Sequence, residues 1–587
     1  MQRTQHLTGR RSRGPGRLLG LLLALVTMIG VTSTAALAAP AHKGSLPTRI
    51  TPLAASPADT VAAMQPSWNL GNTFDAFPDV TSWGNSVPTK ALFDAIRAQG
   101  YRSVRIPVTW TDHQSTTAPY TIDAEWMASV KNAVNLALAD GLYVVINVHH
   151  DSWQWIADMP TNHDGVLTRF KATWTQIAAT FRNSPQTLLF EGNNEPQFNN
   201  TTEAQGIQYN AELNSAFRTV VRQSGGNNAT RLLFLPTLGC TPSQARMDPL
   251  AGQIKSMNDP NLAATVHYYG YFPFSVNVAG GTRYDATSQQ DMTDTFTRIR
   301  TIFVSQGIPT YLGEYGLLGY PDNNHPSRIE RGEVLKYYEE LGYYARTAGA
   351  TTALWDGGSW NYFNRTTLKW SDPALFAAIK SSWTTRSGTA SSDQIFLAKS
   401  SAITAKTLTL NPNGTTFRGL WQGNTRLVQG RDYTVSGNQL TLTASALTRL
   451  AGNRAYGTNA TIQARFSAGV PWNLYVITYD RPVLSGASGD TSGGLSIPTQ
   501  FRGDQLATME SKYADGSVAG NTAWTPYQAF NDAFSPDYSG NALTLTPTYL
   551  NALKDGAQAT LTFHFWSGAT VTYRVTKNGD SVTGTVA

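Results

Sequence analysis

Near-continuous apolar runs alternate with longer segments of helical pattern between Ser56 and Trp383. The run from Leu142 to Ile146 is the clearest, and it is typical of a strand covered on both faces. Each interval between runs has room for a helix and its loops, so the pattern predicts parallel strands joined by helices. Eight βα units close into a (β/α)8 TIM barrel, an α/β fold. The predicted strands begin near Ser67, Ser103, Leu142, Thr187, Arg231, Ala263, Pro309 and Thr352.

The pattern changes after Trp383, where a Ser/Thr/Gly-rich linker precedes short alternating runs and turn residues. This tail holds two copies of one unit, because residues 437–443 recur as 540–546 and residues 417–419 recur as 501–503. Each copy has the size of a β-sandwich, so we predict two small all-β, immunoglobulin-like domains. The predicted boundaries are 1–39 for a signal peptide, 40–55 for an N-terminal linker, 56–385 for the barrel, and 386–484 and 485–587 for the two β domains.

The N-terminus has the pattern of a secretory signal. Five arginines precede an apolar stretch from Leu18 to about Val31, and residues 36–38 offer a small-residue cleavage site. We therefore expect a secreted, extracellular protein. The pair Arg10-Arg11 leaves a twin-arginine signal as an alternative. A second apolar run long enough to span a membrane is missing from the sequence, so no membrane partner is expected.

Charge and cysteine content narrow the function classes. The formal net charge is +6, and five of these charges belong to the N-terminal arginines, so the mature chain is near +1. This removes the electrostatic case for nucleic acid as a partner. Cys240 is the only cysteine, which excludes an intrachain disulfide, and we expect it to be a buried small residue in a monomer. Aromatic residues reach 11%, a composition that suits stacking on sugar rings.

Two glutamates follow predicted strands. Glu195 lies in Asn194-Glu195-Pro196 after one apolar run, and Glu314 lies in residues 313–316 after another. Carboxylates at the C-terminal ends of parallel barrel strands share one face, and a carboxylate pair is what hydrolysis of a glycosidic bond requires. Glu191 is an alternative carboxylate on the same strand as Glu195, and we expect it to make a structural hydrogen bond.

Seven short segments lie at predicted strand ends: Trp68-Asn69-Leu70-Gly71-Asn72-Thr73, Val104-Arg105-Ile106-Pro107-Val108, Asn147-Val148-His149-His150-Asp151, Asn194-Glu195-Pro196, His267-Tyr268-Tyr269, Gly313-Glu314-Tyr315-Gly316 and Leu354-Trp355-Asp356. Together, and in this order, they resemble family 5 glycoside hydrolases of subfamily 4, the broad β-1,4-glucanases. The resemblance covers residues 56–385 and implies retention of configuration, with no cofactor. Gly357 departs from the Asn that subfamily members often carry, which leaves the subsite contacts near strand eight open.

The chemistry assigns a role to each carboxylate. We predict Glu195 as the general acid/base, which must hold a proton near neutral pH and so requires surroundings that disfavour its charge. Glu314 is the predicted nucleophile and must stay ionised, and Arg105 would stabilise it by charge-assisted hydrogen bonds. An ordinary core ion pair is the alternative for Arg105.

Supporting residues surround this predicted pair. Asn194 would donate to the sugar 2-hydroxyl. The resemblance places His267, Tyr269 and His149 near the carboxylates, with His150 left open as a competitor of His149. Trp355 is expected to stack under the sugar and Trp153 to line the cleft. A metal site is not expected, because adjacent residues of the His-His-Asp run point to opposite faces of a strand.

The two β domains resemble an X2 module and a family 46 carbohydrate-binding module, and this arrangement implies that the last domain folds back to extend the catalytic cleft. Alternation in residues 561–566 places Trp566 on the outer face of its sheet, so we expect it to be exposed and to bind sugar. The alternative is that it caps the sandwich edge. Ser467 is its counterpart in the first copy, and Trp524 is a second binding candidate.

The resemblance therefore implies a retaining endo-β-1,4-glucanase acting by double displacement. The expected partner is a β-glucan polysaccharide: cellulose, mixed-linkage glucan or xyloglucan. A β-mannanase or xylanase on the same barrel is the alternative within the enzyme class. A non-catalytic glucan-binding protein is the alternative outside it.

Overall fold

The computed structural model describes residues 56–319, 329–358 and 362–587. The predicted signal peptide, residues 1–39, and N-terminal linker, residues 40–55, lie outside the described residues. The described chain is a closed parallel barrel followed by two all-β modules, which confirms the predicted fold class. Within the described ranges, no helix has the length and apolar character needed to cross a bilayer.

Eight parallel strands form the barrel in sequence order, and the last one pairs with the first. Their side chains are buried on both faces, as the near-continuous apolar runs predict. Each strand begins within two residues of its predicted start. The strands are β1 Ser67–Asn69, β2 Ser103–Ile106, β3 Tyr143–Asn147, β4 Leu188–Glu191, β5 Leu233–Pro236, β6 Leu262–Tyr268, β7 Thr310–Tyr315 and β8 Thr351–Leu354.

Helices cover the outside of the barrel, and α1 precedes β1. Local signals begin several of them; Thr202, for example, forms a capping box with Gln205 at the start of the longest helix. A hairpin of β9 Phe363–Asn364 and β10 Lys369–Trp370 follows β8. The helices are α1 Pro57–Ala63, α2 Lys90–Gln99, α3 Ala124–Ala139, α4 Asp151–Gln154, α5 His163–Thr180, α6 Glu203–Gln223, α7 Gln244–Ser256, α8 Phe272–Ser275, α9 Ala286–Ile302, α10 Arg331–Ala348 and α11 Pro373–Ser382.

The tail folds into two modules, each built of a four-stranded and a five-stranded sheet. The middle module contains β11 Thr389–Ala390, β12 Gln394–Ala398, β13 Lys406–Asn411, β14 Phe417–Gln422, β15 Thr425–Arg426, β16 Tyr433–Ser436, β17 Gln439–Leu442, α12 Ala444–Ala451, β18 Gly457–Phe466 and β19 Trp472–Tyr479. The last module contains β20 Val483–Leu484, β21 Ala487–Asp490, β22 Leu495–Gln500, β23 Leu506–Tyr513, β24 Phe534–Asp537, β25 Ala542–Leu545, α13 Pro547–Asn551, β26 Gln558–Phe565, β27 Thr570–Asn578 and β28 Ser581–Val586.

The two modules share most of their elements in the same order and differ at both edges of the five-stranded sheet, where β15 of the middle module and β28 of the last module have no counterpart. In the middle module β12 pairs in parallel with β19, whereas in the last module β28 lies between β27 and β21. The structure confirms Ser467 and Trp566 as equivalent positions, because each donates its backbone N–H to the residue before a strand, Thr416 O before β14 and Gln505 O before β23. The predicted match of residues 417–419 with 501–503 is wrong, because Phe417 pairs with Phe466, whereas the residue paired with the equivalent Phe565 is Leu506.

Gly503 lies where the last module contacts the middle one. Its φ is +79°, and a Cβ there would lie 2.3 Å from Thr478 O and 2.6 Å from Gly457 N. Gly516 has nearly the same φ, +82°, with no atom within 4 Å of an added Cβ. Both alanine variants incur about 1–2 kcal/mol of left-handed strain, and only Gly503→Ala adds a backbone clash. Calorimetry should therefore show a larger fall in unfolding temperature for Gly503→Ala; equal falls would contradict the contact.

Candidate active site

The C-terminal ends of the barrel strands bring most of the predicted site residues to one face, because the strands are parallel. Arg105, His267 and Glu314 lie on strands, and the others follow a strand directly. The residues gathered at this face are Arg105 on β2, His149 after β3, Asn194 and Glu195 after β4, His267 on β6, Tyr269 after it, Glu314 on β7 and Trp355 after β8.

Arg105 is the centre of the site and is fully buried. Its Nε donates to Glu191 Oε2 at 2.8 Å, and its Nη1 donates to Glu314 Oε1 at 2.8 Å and to Asn69 Oδ1 at 3.0 Å. Its Nη2 donates to Asn194 Oδ1 at 2.8 Å. One guanidinium therefore fixes four residues from three strands, β1, β4 and β7, or from the loops that follow them, through charge-assisted bonds.

Glu191 is fully buried and makes only structural contacts, as we predict from the sequence. Besides the bond from Arg105, it accepts from Asn147 Nδ2 at 2.8 Å and from Thr265 Oγ1 at 3.0 Å. These donors occupy both carboxylate oxygens. Glu191 thus balances the Arg105 charge beneath the cleft.

Both oxygens of Glu314 have a donor. Arg105 donates to Oε1, and the Tyr269 hydroxyl donates to Oε2 at 2.6 Å. Burial raises the pKa of Glu314 above its ordinary value, although the charges of His267 and Arg105 oppose this. The anionic form of Glu314 therefore depends on these two neighbouring cations.

Glu195 reaches toward the cleft, with 37% of its side chain exposed. Its backbone is left-handed, with φ +39°, and its N–H donates to Cys240 Sγ at 3.4 Å. Cys240 is buried and free, as expected, and is also left-handed at φ +49°. Such backbone angles are uncommon outside glycine and are typical of functional loops.

His267 lies between the two carboxylates, with Nδ1 2.8 Å from Glu195 Oε1 and 3.5 Å from Glu314 Oε2. Burial alone would lower the pKa of His267, but its contacts with Cys240, Glu314 and Glu195 raise it well above its ordinary value. Burial raises the pKa of Glu195, yet the hydrogen bond and charge of His267 bring it below its ordinary value. The expectation that the surroundings of Glu195 disfavour its charge is therefore wrong for the unliganded site, because the hydrogen bond and charge of His267 outweigh the effect of burial.

The structure separates the two adjacent histidines. His149 is buried, accepts from Asn147 Nδ2 at 3.1 Å through its Nδ1, and stacks on Trp355 with ring centroids 5.8 Å apart. Burial, with the nearby His150 and Arg105 charges, lowers the pKa of His149 well below its ordinary value, so it is neutral. His150 instead faces the rim, where it accepts from Trp153 Nε1 at 3.0 Å.

Aromatic residues line the rim beside His150. Trp153 is 40% exposed there, and its ring lies 6.0 Å from Phe77, which in turn lies 5.0 Å from Trp83. Sequence reasoning missed Phe77 and Trp83, although their loop directly follows the first matching segment. It also gave no role to Asn69 and Asn147, which stood in the matching segments as polar residues ending apolar strands.

Gly71 determines the position of Trp355. A Cβ at Gly71 would lie 2.9 Å from two atoms of the Trp355 ring, so only glycine leaves room for the indole. The neighbouring Asp356 is fully buried and accepts from Trp68 Nε1 at 2.9 Å. Together with Arg365, which donates to the Gly71 and Asp356 carbonyls at 2.7 and 2.8 Å, these contacts fix the end of β8.

The structure corrects the prediction for Trp566, which is 4% exposed. Residues 561–566 do alternate as predicted, but a barrel loop covers the outer face: the Arg283 guanidinium lies 5.2 Å from the Trp566 ring centre. Asn277 of the same loop donates to Ala507 O at 2.9 Å. Trp524, in contrast, is 66% exposed.

Comparisons with known proteins agree with this geometry. Residues 66–361 match the sequence model described as cellulase, glycosyl hydrolase family 5. Residues 389–476 match the carbohydrate binding domain X2, and residues 480–585 match the carbohydrate binding domain CBM46. The barrel and its carboxylate pair thus define a glycoside hydrolase, and the chain belongs to family 5.

Relatives share the whole arrangement. Endoglucanase B of Paenibacillus lautus is 47% identical over 90% of this chain and 93% of its own length. The trimodular endo-β-1,4-glucanase B from Bacillus halodurans is 42% identical, with a TM-score of 0.87 over 91% of this chain and 99% of its own. The trimodular subfamily 4 enzyme from Bacillus licheniformis is 29% identical, with a TM-score of 0.75 over 90% of this chain and 100% of its own.

The position of His267 predicts a pH effect. The proton shared by His267 and Glu195 is retained above the ordinary histidine pKa, because two carboxylates stabilise the imidazolium. In His267→Gln the acid must be Glu195 alone, whose pKa rises when the imidazolium is lost but starts from the lower ordinary value of a carboxyl group. The alkaline limb of the kcat/KM profile should therefore move to lower pH by about one unit or more. An unmoved limb, in a variant that unfolds at the same temperature as the parent, would contradict this assignment.

Proposed function

We propose that the chain is a retaining endo-β-1,4-glucanase, with Glu195 as acid/base and Glu314 as nucleophile. One observation carries the proposal: an oxygen of Glu195 and an oxygen of Glu314 lie within 4.8 Å of one another. Retaining glycosidases hold their carboxyls about 5 Å apart, whereas inverting enzymes leave room for a water. The names of the relatives, endoglucanases in each case, support the same activity.

The proposed reaction has two steps. Glu314 attacks the anomeric carbon and forms a glycosyl ester, while Glu195 gives its proton to the leaving oxygen as the glycosidic bond breaks. His267 supplies that proton across the 2.8 Å contact to Glu195. In the second step Glu195 takes a proton from water, the water oxygen bonds to the anomeric carbon, and Glu314 leaves as a carboxylate. The scheme needs no metal and no cofactor.

The proposed substrates are cellulose, mixed-linkage β-glucan and xyloglucan. Asn194 is held by Arg105 through its Oδ1, which leaves its amide nitrogen to donate to a sugar 2-hydroxyl. A β-mannanase or xylanase remains the alternative, since these sugars differ at the 2-hydroxyl and at C6. We also propose secretion as a monomer, on the basis of the N-terminal sequence pattern and the single cysteine.

We propose that the last module extends the cleft. Its contacts with the loop between β6 and α9, through Asn277 and Arg283, support this because the same loop follows His267 and Tyr269. The exposed Trp524 would then stack on a polymer that runs beyond the barrel. In this arrangement the middle module is a spacer.

The nucleophile assignment predicts that Glu314→Gln lowers hydrolysis by on the order of 10⁴-fold or more, because no covalent intermediate can form. Binding to insoluble glucan should survive, since the stacking surfaces are intact. Glu195→Ala should lose less activity on an aryl glycoside with a good leaving group, and azide should restore its turnover. Proton NMR of early products should show the β-anomer first. Hydrolysis by Glu314→Gln, or an α-anomer first, would overturn the proposal.

The binding role of Trp524 predicts substrate-dependent loss. Trp524→Ala should lower kcat/KM on polymeric xyloglucan by about five- to tenfold, equivalent to roughly 1–1.5 kcal/mol of stacking, and leave a cello-oligosaccharide nearly unaffected. Tyr456→Ala is the matched control, because Tyr456 is an exposed aromatic residue on the middle module. Equal losses on both substrates, or the same loss in the control, would contradict a polymer-binding role.

A further inference from the structure

The net charge of the whole chain conceals a strong asymmetry. Residues 386–484 contain ten Lys and Arg but three Asp and Glu, a net charge of +7. Residues 56–385 contain 23 Lys and Arg and 28 Asp and Glu, a net charge of −5. Residues 485–587 contain five Lys and Arg and eight Asp and Glu, a net charge of −3. The middle module is therefore a basic body between two acidic ones, which a spacer does not require.

Most of these cations have no carboxylate partner. Arg386 pairs with Glu340 of α10, and Arg431 and Arg449 share Asp432. The other seven form no ion pair with a carboxylate of the described ranges, and an unbalanced positive charge attracts polyanions. These seven are Lys399, Lys406, Arg418, Arg426, Arg454, Arg465 and Arg481.

Two of them frame a tryptophan on the five-stranded sheet. Trp421 on β14 is paired in register with Arg426 on β15, and the Arg426 guanidinium lies 5.3 Å from the indole centre. The Arg465 guanidinium, from β18, lies 4.7 Å from it. Gly419 has φ +129°, and a Cβ there would lie 3.3 Å from the indole and 3.4 Å from Arg426 Nε. We call Trp421, Arg426 and Arg465 the arginine–indole patch.

The hydrogen bonds that the two arginines of the patch make within the protein use only their Nη2 groups. Arg426 donates through Nη2 to Arg418 O at 3.1 Å. Arg465 donates through Nη2 to Gln463 Oε1 at 3.1 Å and to Gly423 O at 3.4 Å, while its buried Nε has no partner. A guanidinium offers five N–H donors in a planar fork that matches a carboxylate, so each arginine can donate to the oxygens of one carboxylate.

We propose that the arginine–indole patch binds a polysaccharide of uronic acids, such as polygalacturonate. The indole offers apolar surface to a sugar ring, and the guanidinium forks offer partners to a carboxylate, the group that distinguishes a uronic acid from a neutral sugar. The module matches a carbohydrate-binding family, which favours a polysaccharide over other polyanions. Duplex DNA fits less well, because reading its major groove takes a protruding helix or ribbon, and this patch lies on a sheet face.

The test is affinity electrophoresis of the full chain in native gels containing polygalacturonate, hydroxyethylcellulose or no polysaccharide, with hydrolysis blocked by Glu314→Gln. Polygalacturonate should retard the chain, and added salt should weaken the retardation. Arg426→Gln/Arg465→Gln should raise the dissociation constant by about tenfold. Trp421→Ala should also weaken binding. When Glu314 is kept, the Arg426→Gln/Arg465→Gln variant and the Trp421→Ala variant should each hydrolyse soluble β-glucan at the parent rate.

Lys399→Gln/Lys406→Gln is the matched control. It removes two charges from the same module, but Lys406 lies on the other sheet and Lys399 follows the far end of β12. This pair should change the dissociation constant less than twofold. The proposal fails if polygalacturonate does not retard the parent chain, or if the control pair loses as much as the arginine pair. Tighter binding to duplex DNA than to polygalacturonate would identify a nucleic-acid surface instead.

Discussion

The site depends on one buried cation. Arg105 has no exposure to water, and it lies between Glu191, which is equally buried, and Glu314. A buried pair of charges is stable only when every donor and acceptor has a partner, and removal of one member leaves the other uncompensated. Arg105 meets this condition with bonds to two carboxylates and two asparagines. The barrel strands thereby become the support that holds Glu314 in position at the cleft.

The same charge balance determines where the site keeps its proton. Glu314 is anionic beside Arg105, and the imidazolium of His267 is the second cation of the site. Its charge stabilises the buried carboxylates of Glu195 and Glu314. Glu195 need not be a weak acid in the free protein, because the proton lies one hydrogen bond away. In the proposed reaction, a saccharide that covers Glu195 would exclude water and favour its neutral form, and the proton would move from His267 to Glu195.

The barrel could be predicted from sequence because each strand is a local apolar run. Glu195 and Glu314 were found as carboxylates that follow such runs, and Arg105 was found from the resemblance of its segment to family 5. The roles of Asn69, Asn147 and Cys240 were not, because they depend on which strands become neighbours in space. The prediction that Trp566 is exposed was wrong for a related reason. Alternation identifies the sheet face of Trp566, but it does not reveal the loop around Arg283, some 280 residues earlier in the chain, that covers this face.

The two β modules show what such covering does to a repeated unit. Ser467 and Trp566 occupy equivalent positions with the same backbone hydrogen bond, yet Ser467 is exposed and Trp566 is buried against the barrel loop. Burial of a large aromatic side chain stabilises a contact in proportion to the apolar area removed from water. The tryptophan at this position therefore gives the last module a stabilising contact with the barrel that the serine of the middle module cannot make. Within the last module the two tryptophans therefore differ: Trp566 contacts Arg283 of the barrel loop, and Trp524 remains 66% exposed and open to a ligand.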